Sequence, residues 1–275
     1  MKNRLCEVLG VRYPIIQGGM AWSTDATLAA AVSNGGAAGI IGTGGRPTEW
    51  VEEEIKKAKT LTDRPFGINL MLMAPNVEEI AELALREKVA FVTTGAGSPL
   101  PWIEKMHQGG VKVIPVVPNV KLAKRIASSG ADALIIEGME AGGHIGTMTT
   151  MALLSNVLRE NYPIPVLAAG GISDGRAMAA ALLMGADGVQ MGTRFLLTTE
   201  CPVHEKTKEM ILNATDTDCV VTGYSRNMGV RCLANDFTRR YLEAEISGVP
   251  KETLMAMGTG TSRKGMQEGD IVNGS

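Results

Sequence analysis

An apolar run opens into glycines around a single histidine in the stretch Ile135-Ile136-Glu137-Gly138-Met139-Glu140-Ala141-Gly142-Gly143-His144-Ile145-Gly146. Branched apolar residues in so short a run predict a buried strand. The glycines remove side-chain bulk and permit backbone angles that other residues avoid, so they predict a mobile loop after the strand. A flat ligand would lie close to this backbone, and His144 is the one side chain of the loop that exchanges a proton near neutral pH.

Similar apolar runs occur along most of the chain, and eight of them recur at intervals of 21 to 32 residues. They begin near residues 14, 38, 66, 89, 112, 133, 165 and 188, with helix-like segments at 24–33, 48–59, 77–87, 99–107, 120–129, 149–161 and 174–183. Seven crossovers that join eight parallel strands favour an α/β fold of the closed (β/α)8 TIM barrel type. A doubly wound open sheet is the alternative, but its GxGxxG fingerprint should follow the first strand, where the sequence reads Gly18-Gly19-Met20-Ala21.

The character of the sequence changes near residue 200, where the strand periodicity ends. We expect residues 1–200 to form the barrel core, and residues 201–275 to form the last barrel helix and a small C-terminal cap over the barrel mouth. Within this tail, residues 203–214 look helical, and the rest alternates short charged helical pieces with glycine-rich turns.

Composition favours a protein that handles a small molecule. The formal charge of -2 and the pI near 6.0 give no general attraction to nucleic acid or to an anionic membrane, so neither is an expected partner. The four cysteines include no CxxC pair, which argues against disulfides and against a metal site. The charged N-terminus and the lack of a long apolar stretch predict a soluble cytoplasmic protein.

Two glycine turns follow the seventh and eighth predicted strands. The first contains Gly170 and Gly171, and the second reads Gln190-Met191-Gly192-Thr193. Backbone N–H groups at such turns bind phosphate, and barrels often place this site after strands seven and eight. The pair therefore predicts a phosphate cradle. The alternative is that Gly170 and Gly171 only form a tight turn.

Polar side chains end two other predicted strands. Asn69 ends the third strand and Glu137 ends the sixth, so both would face the barrel mouth, where they could hydrogen-bond a polar ring or a ribityl chain. The alternative is that Asn69 caps the segment after it and that Glu137 is a surface charge.

The three histidines differ in their surroundings. His107 and His204 lie in helix-like segments and are expected to be structural, whereas His144 has no apolar face to fill and is expected to be functional. Glu140 is the weaker acid/base candidate of the same loop and is expected to face solvent.

Six stretches together carry a resemblance that covers almost the full chain: Tyr13-Pro14-Ile15-Ile16-Gln17-Gly18-Gly19-Met20-Ala21, Pro65-Phe66-Gly67-Ile68-Asn69, Thr93-Thr94-Gly95-Ala96-Gly97, Glu137-Gly138-Met139-Glu140-Ala141-Gly142-Gly143-His144, Ala168-Ala169-Gly170-Gly171-Ile172 and Gln190-Met191-Gly192-Thr193-Arg194-Phe195. They resemble the bacterial family of flavin-dependent enoyl-acyl carrier protein reductase II. That family belongs with the nitronate monooxygenases, or 2-nitropropane dioxygenase-like enzymes, in one superfamily of FMN-binding barrels.

The resemblance implies a set of site residues and partners. His144 would be the catalytic histidine, and FMN would be bound by Met20, Ala21, Asn69, Glu137, Gly142, Gly143, Gly170, Gly171, Gln190, Met191, Gly192 and Thr193. It also implies a homodimer, NADH or NADPH as reductant, an acyl carrier protein that carries the substrate, and an optional monovalent cation. Family members continue past the segment matching residues 268–275 with a helical stretch that returns to the flavin, and this stretch is expected to be missing here.

The predicted reaction is the FMN-dependent reduction of trans-2-enoyl-acyl carrier protein thioesters by NAD(P)H, the last step of the bacterial fatty acid elongation cycle. A nitronate monooxygenase that oxidises alkyl nitronates with O₂ is the nearest alternative. An alternative of another class is a flavin-free, phosphate-binding barrel lyase or isomerase with Glu137 as its base.

Overall fold

Eight parallel strands form one sheet, and each coincides with a predicted apolar run. The structure, a computed structural model, describes residues 3–275. The sheet consists of β1 (Ile15–Gln17), β2 (Gly39–Gly42), β3 (Phe66–Met71), β4 (Phe91–Gly95), β5 (Lys112–Val117), β6 (Leu134–Glu137), β8 (Val166–Ala169) and β9 (Gly188–Met191), whereas β7 (Gly143–His144) lies outside it. The strand order is β1-β9-β8-β6-β5-β4-β3-β2, and a parallel bridge between Ile16 and Ala38 joins its two ends. The predicted (β/α)8 TIM barrel is confirmed.

Helices alternate with these strands along the chain. They are α1 (Arg4–Leu9), α2 (Ala26–Asn34), α3 (Thr48–Leu61), α4 (Val77–Arg86), α5 (Leu100–Gln108), α6 (Val120–Ala127), α7 (Thr150–Val157), α8 (Gly175–Leu183), α9 (Thr193–Leu196) and α10 (Glu205–Asn213). The side chains of Asp25, Asn119 and Asp174 accept backbone N–H groups at the starts of α2, α6 and α8. Such caps satisfy N–H groups that have no partner within the helix, which explains where these helices begin.

The core consists of two layers, one inside the barrel and one between the strands and the surrounding helices. Leu5 and Leu9 of α1 belong to the inner layer, together with inward-facing strand residues such as Ile135. Asn3 Nδ2 donates to the carbonyl of Asp187, just before β9, at 2.8 Å. Helix α1 therefore closes the end where the strands begin, and the opposite end forms the mouth.

The tail after β9 contains a β-hairpin that the sequence did not predict. Strands β10 (Cys219–Thr222) and β11 (Val230–Leu233) pair antiparallel, and α11 (Asp236–Ile246), α12 (Lys251–Gly258) and α13 (Thr261–Glu268) follow them. The prediction of only short helical pieces and turns is wrong over residues 219–233. Strands of four residues carry too little alternation to be recognised, and these depend on pairing partners distant in sequence. The boundary near residue 200 stays a prediction.

The third strand of this small sheet lies in the glycine-rich stretch after β6. In β7, Gly143 pairs with Arg231 and His144 pairs with Val230, both on β11. The prediction of a mobile loop throughout this stretch is therefore wrong at its end, because a partner about 90 residues away supplies the backbone hydrogen bonds. Across residues 3–275, we find no helix that is both long and apolar enough to cross a membrane.

Candidate active site

The loop after β1 packs closely against strand ends on both sides of the mouth. A Cβ atom added to Gly19 would lie 2.5 Å from Cβ of Asn69, and one added to Gly192 would lie 3.3 Å from Sδ of Met20. Glycine at position 19 is therefore required by the close approach of the β1 loop to β3. This packing brings together Met20, Asn69 and Gly192, three of the predicted site residues.

The same rim includes Ala21 and Gln190. Cβ of Ala21 lies 3.2 Å from the position of a Cβ on Gly44, in the loop after β2, and a Cβ on Gly18 would lie 3.4 Å from Cγ of Gln190. Gln190 is buried at the end of β9, next to Met191. The loops after β1, β2, β3 and β9 thus form one continuous wall.

Of the two predicted glycine turns, residues 190–193 belong to this wall, and residues 170–173 follow the neighbouring strand β8. Gly170 and Gly171 have φ angles of 99° and 71°, a region that side chains disfavour. Among residues 3–275, the backbone N–H groups of Gly171, Ile172 and Gly192 donate to no backbone carbonyl. Free N–H groups on adjacent turns are the donors that a phosphate group needs.

Charged side chains lie just after the first glycine turn, at the start of α8. A hydrogen bond from the backbone of Ala177 holds the pKa of the Asp174 carboxyl below its usual range, and the nearby charges of Arg176 and Arg194 contribute further. Both arginine side chains are exposed. The charges of both arginines reach Asp174, which caps α8 beside this turn.

Thr150 joins the histidine loop, residues 138–146, to the first glycine turn. Its Oγ1 donates to the carbonyl of Gly170 at 3.0 Å, and the Glu140 carboxylate accepts its backbone N–H at 2.8 Å. A Cβ on Gly138 would lie 2.1 Å from the same Oγ1. Glu140, expected to face solvent, is exposed but also caps α7. The sequence reasoning missed Thr150, and nothing in its local pattern could have indicated this role.

Glu137 ends β6 inside the mouth, as predicted. The residue keeps some contact with solvent and is half-buried, but protein atoms crowd its carboxyl, and this burial raises its pKa to about 7. No hydrogen bond or opposite charge within residues 3–275 counters that shift. A half-ionised carboxyl without a protein donor is suited to accept a hydrogen bond from a ligand. It is not the surface charge of the alternative interpretation.

Asn69 faces the same mouth from β3. Its Nδ2 donates to Oγ1 of Thr93 at 3.1 Å, and α4 is preceded by Asn76, so Asn69 does not cap the following helix. Thr93 was quoted only as part of a motif and is a further polar group of the mouth. Its position near the end of a strand, two residues before Gly95, was the available signal.

His144 is exposed at the edge of the mouth, where β7 holds it. The amide of Ile145 donates to the carbonyl of Gly229 at 3.0 Å, which extends the pairing past the histidine. The other two histidines have structural roles, as expected. His107 pairs with Asp132 at 2.8 Å, and His204 caps α10.

The predicted site residues lie at the strand ends and loops of one mouth, although the side chain of Met191 packs into the outer layer of the core. Shallow depressions on the outer faces of α5 and α6 contain none of them. The described part of the chain contains no cluster of three or more His, Cys, Asp or Glu side chains that could hold a metal ion. The arrangement suits a flat ligand with a phosphate at one end and a proton-exchanging histidine beside it.

A family model described as nitronate monooxygenase matches residues 2–85 and 80–274. The chain belongs to the nitronate monooxygenase family. This membership confirms the superfamily that the motifs indicated, and the similar proteins fall into two groups by their names.

One group contains FabK and a dehydrogenase named for a coenzyme A derivative. The structure of FabK from Thermotoga maritima is 43% identical, covers 100% of this chain and 88% of that chain, and superposes with a TM-score of 0.95. A relative from Rhodococcus jostii (strain RHA1), named (3aS,4S,5R,7aS)-5-hydroxy-7a-methyl-1-oxo-octahydro-1H-indene-4-carboxyl-CoA dehydrogenase, is 41% identical over 86% of this chain and 67% of its own length.

The other group contains proteins named for the oxidation of nitronates or nitroalkanes. A probable nitronate monooxygenase from Staphylococcus haemolyticus is 33% identical over 92% of this chain and 84% of its own length. The structure of a nitroalkane oxidase from Streptomyces ansochromogenes is 27% identical, covers 86% of this chain and 80% of that chain, and has a TM-score of 0.79.

Proposed function

We propose that this protein is a flavin-dependent reductase of enoyl thioesters, which uses NAD(P)H to reduce trans-2-enoyl groups carried on an acyl carrier protein. The likeness to FabK along 100% of the chain is the observation that carries the proposal. The family resemblance of the motifs supplies the reaction. A second relative above 40% identity is named for a coenzyme A thioester, which supports a thioester substrate.

The residues of the mouth fit FMN. The N–H groups of the two glycine turns suit its phosphate, and the unpartnered Glu137 carboxyl suits a ribityl hydroxyl group. Gly142 and Gly143 offer a flat backbone surface, because a Cβ on Gly142 would meet only Oγ1 of Thr193, at 3.8 Å, and one on Gly143 would meet nothing within 4 Å.

FMN, when bound, supplies hydride transfer, which no amino-acid side chain can supply. The chain provides placement and proton chemistry. Charge develops on the thioester oxygen as an enoyl group is reduced, and His144 lies at the edge of the mouth, where it can donate a hydrogen bond to that oxygen or a proton to the α-carbon. A positioned proton donor of this kind typically contributes about 10²- to 10⁴-fold in rate.

A nitronate monooxygenase is the second candidate, favoured by the family model and by the Staphylococcus relative. The same mouth would then hold an alkyl nitronate, with O₂ as oxidant. Fold and site type do not separate the two reactions, because one scaffold supports several chemistries. The 43% and 41% identities of the thioester-side proteins, against 33% for the nitronate relative, favour the reductase.

One preparation assayed with two substrates tests the proposal. We expect a flavin absorption band, consumption of NAD(P)H with crotonyl thioester, and little oxygen uptake with propyl nitronate. Oxygen uptake with propyl nitronate and no thioester-dependent NAD(P)H consumption would favour the monooxygenase. A purified protein without flavin absorbance that cannot be reconstituted with FMN would favour the flavin-free lyase or isomerase.

Several finer points come from the resemblance and stay predictions. They are the homodimer, the acyl carrier protein, the choice between NADH and NADPH, and the optional monovalent cation. A titration of NADH and NADPH against the same thioester, with and without potassium, would decide the last two.

A further inference from the structure

The histidine loop has little of its own to fix its shape. Gly142 and Gly143 are exposed, and Gly143 has a φ of 80° with nothing within 4 Å of an added Cβ. Glycines of this kind leave a chain many conformations in the absence of outside contacts. A histidine that must deliver a proton needs placement within a fraction of an ångström. Some other part of the molecule must therefore order this loop.

Strand β11 makes the contact at the far end of the loop. Arg231 pairs with Gly143 and Val230 pairs with His144. The carbonyl of Gly229 then accepts the amide of Ile145 at 3.0 Å. These backbone bonds fix the main chain of His144 from outside the barrel.

The Arg231 side chain makes the contact at the near end. Its Nε donates to the carbonyl of Met139 at 2.9 Å. Met139 is the second residue after β6, and its amide donates to the carbonyl of Met148 at 2.8 Å, which closes the base of the loop. One residue thus holds the loop twice, by its backbone at Gly143 and by its guanidinium at Met139.

We propose that Arg231 is a positioning residue: from β11 it fixes both ends of the loop that presents His144 to the barrel mouth. The inference rests on the proposed function for the step that His144 performs. The ordering of the loop itself is independent of that function. Arg231 acts through His144 and has no assigned contact with the substrate.

Helix α11 stabilises the hairpin by hydrogen bonds, so the hairpin can hold the histidine loop in place. The Glu245 carboxylate of α11 accepts the backbone N–H of Gly223 at 2.7 Å and that of Ser225 at 2.9 Å. Hydrogen bonds to a charged acceptor are stronger than neutral ones. The placement of His144 therefore depends on a continuous series of contacts from α11 through the hairpin.

Arg226 offers a matched control in the same hairpin. Its Nη2 donates to the carbonyl of Val249 at 3.5 Å and its charge acts on Glu245, and within residues 3–275 it makes no hydrogen bond to the histidine loop. Arg226→Ala removes the same side chain as Arg231→Ala from the same supersecondary element. A difference between the two variants then reports on the bond to Met139 and not on general loosening of the hairpin.

The test combines hydrogen exchange with a double-mutant cycle on the flavin-loaded enzyme. Arg231→Ala should speed amide exchange at Ile145 and lower kcat by about 10-fold or more, with FMN affinity within about 2-fold, as expected for a misplaced proton donor. Arg231→Lys, which keeps one donor within reach of the Met139 carbonyl, should restore much of the loss. Arg226→Ala should leave both measurements near those of the parent protein.

The cycle with His144→Ala separates the two proposals. Because Arg231 acts through His144, Arg231→Ala should cause no further loss in the His144→Ala background. A full additional loss there, or unchanged exchange at Ile145 in Arg231→Ala, would overturn the positioning role. If His144→Ala alone turns over normally, the proposed role of His144 fails, and the exchange at Ile145 still decides whether Arg231 orders the loop.

Discussion

The two glycine turns and the histidine loop are both glycine-rich, but they are held in different ways. The turns follow β8 and β9 directly, and they pack against the β1 loop, Thr150 and the buried start of the histidine loop, so the barrel frame holds them. The segment 142–144 of the histidine loop is exposed, and a hairpin from the tail pairs with it. A rigid barrel is suited to bind a cofactor. A loop that is held by a separate hairpin can change conformation when a substrate binds.

On this account, the glycine turns bind the cofactor and the histidine loop transfers the proton. Changes to the barrel side of the mouth should alter cofactor affinity or global stability. Changes to the hairpin side should alter turnover first. The following predictions test that separation, beginning with the position where the two regions meet.

Gly138→Ala should have the largest effect. Its Cβ would lie 2.1 Å from Oγ1 of Thr150 and 2.4 Å from the Thr150 backbone, so the contact between the histidine loop and the first glycine turn cannot persist. Overpacking of this kind should lower the free energy of unfolding by about 3 kcal/mol and weaken cofactor binding. Urea unfolding checks this, with Gly175→Ala as control, since an added Cβ there meets nothing within 4 Å. Equal stability of the two variants would contradict the close junction.

Glu137→Gln should change how the stability of the flavin-free protein depends on pH. Burial raises the Glu137 pKa from 4.5 to about 7, so the folded state holds a proton that the unfolded state loses over this range. Ionisation should therefore lower stability as the pH rises from about 4.5 to about 7, and the loss should level off above pH 7 at about 3 kcal/mol.

The measurement compares urea unfolding at pH 5 and pH 8. Glu137→Gln should be more stable than the parent at pH 8, with a smaller difference at pH 5. Glu53→Gln, at an exposed position of α3, is the matched control and should show no such difference. An unchanged pH profile in Glu137→Gln would show that the carboxyl is not buried as described.

Glu245→Ala should loosen the hairpin and spare the glycine turns. Although burial opposes it, hydrogen bonds from Ser225 and Gly223 hold the pKa of the Glu245 carboxyl below its usual range. Their loss should cost about 2 kcal/mol of local stability. Amide exchange should quicken at residues 223–230 and in β7, but not at residues 170–173. Glu243→Ala, exposed on the same helix, is the control, and faster exchange at 170–173 would contradict independent support.

Asp174→Ala should have the smallest effect, confined to the glycine-turn side. The carboxylate accepts the N–H groups of Arg176 and Ala177, both at 2.9 Å, so its removal should weaken the start of α8 and lower the melting temperature slightly. Asp174→Asn keeps the acceptor and should retain most of the stability. Thermal unfolding of the pair checks this, and an Asn variant as unstable as the Ala variant would show that the charge matters more than the cap.

The same contrast explains what the sequence could predict. Each barrel strand is a short apolar run followed by its own loop residues, so Asn69, Glu137 and Gly192 could be placed at one mouth from periodicity and topology alone. The roles of Arg231 and Thr150 could not be predicted in this way. They depend on contacts between distant segments, and no hydrophobic periodicity or sequence motif connects those segments. The hairpin was missed for the same reason: its strands have four residues each, and β7 has only two.

The most direct test of this account measures FMN affinity and turnover in the same His144→Ala preparation. If the barrel side binds the cofactor and the histidine loop supplies the proton, the FMN dissociation constant should stay within about twofold, while kcat with crotonyl thioester should fall by about 10²- to 10⁴-fold. A variant that keeps its flavin and turns over normally would contradict the role of His144. Loss of flavin together with activity would contradict the separation of the two regions.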